Sequence, residues 1–222
     1  MRQCCMLIMD STPIIFLAKL GRLDLLFEFK IPVFMPREVE FEVVEKQARK
    51  EGRGLNNEEK TIQAFLEKHK KTKQITVVRT IVCKAVEDSR KVDPMYASHG
   101  DGEVAANSLF LNRDKYGVSG PALLLYEDAV VDVVFRRDDV HFLTTYAMFV
   151  AMEKIGSIRS ADDEWDRLSE VYRQQNENNL PKHNVDRSNR GDTEYMSKAR
   201  GERGGSASGR EPLKSRARRK PK

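Results

Sequence analysis

Cysteine is scarce in this chain of 222 residues: only Cys4, Cys5 and Cys83 occur, an odd number with two of them adjacent. That pattern excludes a disulfide framework, offers no zinc-ligand spacing and implies a reducing compartment. Long apolar runs are missing too. Charge breaks every one of them within about ten residues, well short of the length needed to span a bilayer, and no extended apolar region precedes Asp10. The expectation is a soluble cytoplasmic protein with no membrane partner and no secretory leader. Histidine is sparse and scattered, at His69, His99, His141 and His183; lone histidines are more often structural than catalytic, and none is given a catalytic role. The single tryptophan, Trp165, reads as a packing anchor for the last helix.

What the chain does have is charge, unevenly placed. The formal net charge is +5. Residues 173–222 hold 14 Lys/Arg against 6 Asp/Glu, whereas residues 1–172 hold 25 against 28. With 40% hydrophobic residues, the chain can bury one good core and carry an extension. Beyond about Gln175, Asn, Gly, Ser, Arg and Lys dominate and few large apolar side chains remain to offset the entropy of ordering. The reading is a folded domain over 1–174 and a disordered basic tail over 175–222.

Within the first part, apolar runs alternate with helical patterns. Strands are expected at Cys5 to Met9, Ile31 to Met35, Ile75 to Val78, Pro121 to Leu125 and Val140 to Leu143. Helices are expected from Ser11-Thr12-Pro13 to a stop at Gly21, over Leu23 to Phe29, from Pro36 to about Lys50, over Glu58 to Lys70, and from Gly102 through Phe110 with Asp101 as the cap. Ala129 to Arg137 reads as helical, Thr144-Thr145 starts a helix closing near Gly156, and Ser160 caps another. The stretch Val82 to Met95 gives no clear period. Met148, Phe149, Met152 and Ile155, at helical spacing, read as core or subunit interface. Such alternation predicts an α/β fold in three layers, with a mostly parallel central sheet covered on both faces.

Four acids fall at the junctions of this pattern: Asp10 after the first strand, Glu42 in the helix opened by Pro36, Glu103 after Gly102, and Asp128 after Leu123-Leu124-Leu125. Carboxylates carried to the carboxyl ends of parallel strands converge on one crevice. Four of them there require a neutralising cation, and hard divalent ions with phosphate chemistry are the natural occupants. Each acid also has a plainer reading. Asp10 and Asp128 can cap the helices that follow them, Glu103 and Asp101 can complement a helix dipole, and Glu42 belongs to a Glu38, Glu42, Glu45 stripe that looks like a solvated face.

The stretches Asp10-Ser11-Thr12-Pro13-Ile14-Ile15-Phe16-Leu17-Ala18-Lys19-Leu20-Gly21, Met35-Pro36-Arg37-Glu38-Val39-Glu40-Phe41-Glu42, Gly100-Asp101-Gly102-Glu103-Val104-Ala105-Ala106 and Leu123-Leu124-Leu125-Tyr126-Glu127-Asp128 follow one another as in PIN-domain nucleases, which the chain resembles over roughly residues 5 to 156. The resemblance implies a PIN-like domain acting as a metal-dependent endoribonuclease, with Asp10, Glu42, Glu103 and Asp128 as its acids and Asp10, Glu103 and Asp128 on a Mg²⁺ or Mn²⁺ ion. It implies products bearing a 5′-phosphate and a 3′-hydroxyl. Ser11 matches the small hydroxyl residue beside the first acid, and Asp101 supports the third. The fourth acid in that family often follows Thr or Ser or sits in an Asp-Asp pair; here the run is Tyr126-Glu127-Asp128, so Glu127 is the alternative to Asp128, with Asp132 assisting. Since the fold includes the toxin half of many bacterial toxin-antitoxin pairs, the resemblance also implies an antitoxin partner and a homodimer.

The tail's Arg210, Lys214, Arg216, Arg218, Arg219 and Lys220 read either as a solubilising end or as a sequence-independent grip on RNA phosphates. A non-catalytic RNA-binding or partner-binding module on a degenerate PIN scaffold is the rival from a different class. A haloacid-dehalogenase-like phosphatase ranks low, because that chemistry wants a second Asp two residues after the first and position 12 is Thr.

Overall fold

The strand Met6–Met9 (β1) is apolar at every position and buried at every position, as a strand covered on both faces must be. In the computed structural model, which describes residues 4–93, 96, 100–127 and 139–175, β1 is the middle of a five-stranded sheet with Val33–Pro36 (β2), Ile75–Val78 (β3), Ala122–Leu125 (β4) and Val140–Leu143 (β5). The order is β3-β2-β1-β4-β5 and every pairing is parallel. Register is pinned by alternation: Leu7, Met9, Val33, Met35, Leu123 and Leu125 feed one core, whereas Met6, Ile8, Phe34, Ala122 and Leu124 feed the other. A slip of one residue would exchange the two sets.

The first core is closed by Ser11–Leu20 (α1), Asn57–Lys71 (α4), Thr145–Lys154 (α7) and Ala161–Gln174 (α8), which contribute Phe16, Leu66, Phe149 and Trp165. Trp165 meets Phe16 and Tyr146 edge-on, at 6.3 and 5.7 Å between ring centres, and so does anchor the last helix. Each such fully buried ring contributes about 1.5–3 kcal/mol. The second core takes Ala106, Leu109 and Phe110 from Asp101–Leu111 (α6).

Local chemistry sets the ends. Gly21 adopts the left-handed conformation, and its N–H and that of Arg22 bond Ala18 and Leu17 oxygens, a Schellman stop for α1. Asn56 and Glu59 form a reciprocal capping box on α4. Thr144 and Ser160 cap α7 and α8 with their hydroxyls, as expected.

Four expectations change. Within the stretch Val82 to Met95 the described residues form the helix Ile81–Val92 (α5), capped by Thr80; Cys83 and Val86, three apart, are its buried face, while the apolar Ile81 and Val92 at its ends face solvent. Asp101 is not the cap of α6; Gly100 is, and Asp101 lies inside the first turn. Ile155 leaves the apolar stripe with 61% of its surface exposed, because α7 has ended at Lys154. The helix after Pro36 runs from Arg37–Phe41 (α2) through a π-helical turn at Glu42–Lys46 to Gln47–Lys50 (α3). The helix expected at Ala129 to Arg137, the acids Asp128 and Asp132, and the tail cations Arg210, Lys214, Arg216, Arg218, Arg219 and Lys220 lie outside the described residues. Among the described residues no helix is long and apolar enough to cross a membrane.

Candidate active site

β1 sits where the connections diverge, toward β2 and β3 on one side and β4 and β5 on the other, and a crevice opens at the carboxyl edge of such a switch point. Asp10 occupies it. Its N–H bonds Leu125 O at 3.0 Å, carrying the sheet ladder one residue past β1, and its backbone is extended as α1 begins. The carboxylate makes no side-chain capping hydrogen bond to the turn that follows; the backbone of Ser11, the first residue of α1, favours its ionised form.

Burial pushes the Asp10 carboxyl up to about 7; the Ser11 N–H opposes this, and the negative charges of Glu103, Glu42 and Glu127 add to it. Among the described residues, the charges that weigh most on it are all negative. Acids from four separate stretches of chain therefore share one electrostatic neighbourhood. Among the described residues no ion pair reaches Asp10 or Glu103.

Glu42 opens the π-helical turn after α2, a distortion concentrated at functional sites. One of its oxygens pairs with Lys46 Nζ at 3.0 Å. The other lies 3.0 Å from the position a Cβ on Gly102 would take. Glycine at 102 thus lets the first turn of α6 close on the helix bearing Glu42. Glu103 folds back so that its carboxylate is 3.6 Å from a Cβ position on Gly100, whose φ of +82° is a left-handed value that glycine adopts without strain. The solvated-stripe reading of Glu38, Glu42 and Glu45 fails at its first member: Glu38 is fully buried.

Of the two candidates for the fourth acid, Glu127 is the one within the described residues. It is buried two residues past β4 and accepts the Thr145 N–H at 2.6 Å, a free donor in the first turn of α7. That leaves a carboxylate fixed against a helix start yet close enough to Asp10 to raise its pKa. Sequence reasoning missed Glu38, which faces Arg90 from 52 residues away. Burial raises its carboxyl, Arg90 pulls it down, and Asp101 and Glu42 raise it again, which places Asp101 in the same acidic neighbourhood.

Every donor here is a carboxylate oxygen, the ligand type of hard divalent cations. Among the described residues no three His, Cys, Asp or Glu side chains stand together as a ready metal cage. The set fits a hard cation by donor chemistry, and Mg²⁺ in particular keeps several waters and takes few protein ligands.

A family model for the PIN domain matches residues 6–110, a span that contains Asp10, Glu42 and Glu103 and stops before Glu127. No curated protein and no solved structure matches the chain.

Proposed function

With the chain a member of the PIN-domain family, a nuclease-type fold, we propose that it is a metal-dependent endoribonuclease of the cytoplasm. The observation that carries this reading is Asp10: a desolvated carboxyl raised to about 7 within the field of Glu42, Glu103 and Glu127. Like charges gathered at one desolvated point favour whatever cation or proton relieves them.

Asp10 and Glu103 hold a Mg²⁺ or Mn²⁺ ion in this reading, with Glu127 or Asp128 as the further ligand and Glu42 beside them. The bound ion supplies neutralising charge and a polarised water. The chain's own part is orientation. Ser11 N–H steadies Asp10, the start of α7 steadies Glu127, and Gly102 admits Glu42. With the ion bound, the Asp10 carboxyl stays ionised as a ligand, and the proton of the attacking water leaves to solvent. The water oxygen bonds to phosphorus, the bond to the 3′ oxygen breaks, and that oxygen gains a proton, leaving 5′-phosphate and 3′-hydroxyl ends.

The crevice itself repels a polyanion, so the basic tail with Arg210, Lys214, Arg216, Arg218, Arg219 and Lys220 is proposed as the arm that gathers RNA. A toxin role follows from the same reading, with an antitoxin to restrain it and a homodimer as the working form.

The test is cleavage of single-stranded and structured RNA with added Mn²⁺ or Mg²⁺, comparing wild type with Asp10→Asn. Loss of about 100-fold or more is expected, at least the scale of losing a group that orients a metal ligand. Equal cleavage by both proteins removes the site. RNA that is bound but never cut, with binding lost on removing residues 175–222, establishes the non-catalytic module instead.

A further inference from the structure

Glu38 is 0% exposed and lies one helical turn before Glu42. Arg90 of α5 clasps it with both arms of its guanidinium, at 2.7 and 3.3 Å. The same group lies 3.7 Å from the ring centre of Phe41 and donates from Nε to the Tyr96 carbonyl at 3.3 Å. One planar cation therefore joins three things: the helix that carries Glu42, the Tyr96 carbonyl, and its own helix α5, which packs against α6, the carrier of Glu103.

Stability is a weak explanation for such a pair, since a buried ion pair is often matched by apolar side chains of similar volume. Orientation is the stronger one. A guanidinium fork fixes its partners in a plane in a way that an ammonium does not.

We propose that Arg90 is a positioning residue which, by holding Glu38 and the Tyr96 carbonyl together, sets the separation of Glu42 and Glu103 and thereby the affinity of the crevice for a divalent cation. This rests on the reading of those carboxylates as cation ligands.

Calorimetric titration with Mn²⁺ tests it, on wild type, on Arg90→Lys, which keeps the charge and loses the fork, and on the double variant Glu38→Leu/Arg90→Met, which removes both partners without stranding a buried charge. Thermal unfolding is followed in parallel. The double variant is expected to unfold near the wild-type temperature, and both variants to bind Mn²⁺ about tenfold more weakly, the usual scale for losing a group that orients a ligand. Wild-type affinity in the folded double variant overturns the proposal, as does full affinity in Arg90→Lys, which would make charge alone sufficient. Absence of Mn²⁺ uptake by the wild type overturns the reading of the crevice itself, and this proposal with it.

Discussion

Two sets of carboxylates are treated differently. Along α2, the π-helical turn and α4, acids are matched with cations: Glu38 with Arg90, Glu40 with Arg37 and Lys70, Glu42 with Lys46, Glu45 with Arg37 and Arg49, Glu59 with Arg53. At the sheet edge, Asp10 is desolvated in the field of Glu103, Glu42 and Glu127, and among the described residues no ion pair reaches it. A desolvated acid with no ion pair is costly to folding, so the contrast marks Asp10 as a candidate for function rather than for stability.

The sharpest way to break the contrast is to strand an acid on the paired side. Arg90→Met leaves Glu38 buried without its cation and should destabilise the protein by about 3–5 kcal/mol, read from urea unfolding. Asp10→Asn should do the reverse in metal-free protein at pH 8, raising the unfolding temperature by removing a desolvated charge set among like charges.

A pH series sharpens it further. Because the folded Asp10 carboxyl lies at about 7, above its ordinary 3.8, the folded state binds the extra proton between those values. Its contribution to the stability of metal-free protein therefore falls as pH rises from about 4 to about 7 and is level above. Wild type should lose stability relative to Asp10→Asn between pH 5 and pH 8, and Mn²⁺ should restore it at pH 8. Thermal unfolding in chelator and in Mn²⁺ checks both.

The smallest effect is steric. Gly102→Ala brings a methyl against the free end of the Glu42 side chain, which can yield, so stability should change by less than about 1 kcal/mol. Mn²⁺ affinity should nonetheless drop severalfold as Glu42 is displaced, a separation that calorimetry beside urea unfolding resolves.

Much of this was legible in the sequence. The apolar run before Asp10, the Ser-Thr-Pro start and Gly21 each carry a local signal, and so the first strand, its acid and α1 follow from the residues alone. Gly102 beside Glu103 reads as a junction, though not as the reason two helices can touch. Glu38 could not be found this way, because its spacing with Glu42 and Glu45 imitates a wet face and its partner is far along the chain. Nor does any residue announce that Glu127 is held by the N–H of Thr145, supplied by a helix that starts 18 residues later.

The π-helical turn at Glu42–Lys46 gives the helix after β2 a mechanical character of its own. A straight α-helix advances about 100° per residue, so one surplus residue in a turn works like a cam, rotating everything downstream relative to everything upstream. Excising a single residue there would spin Ala48 out of the core or swing Glu42 off the crevice, whichever half gave way. The rod can serve both masters only because it is wound unevenly.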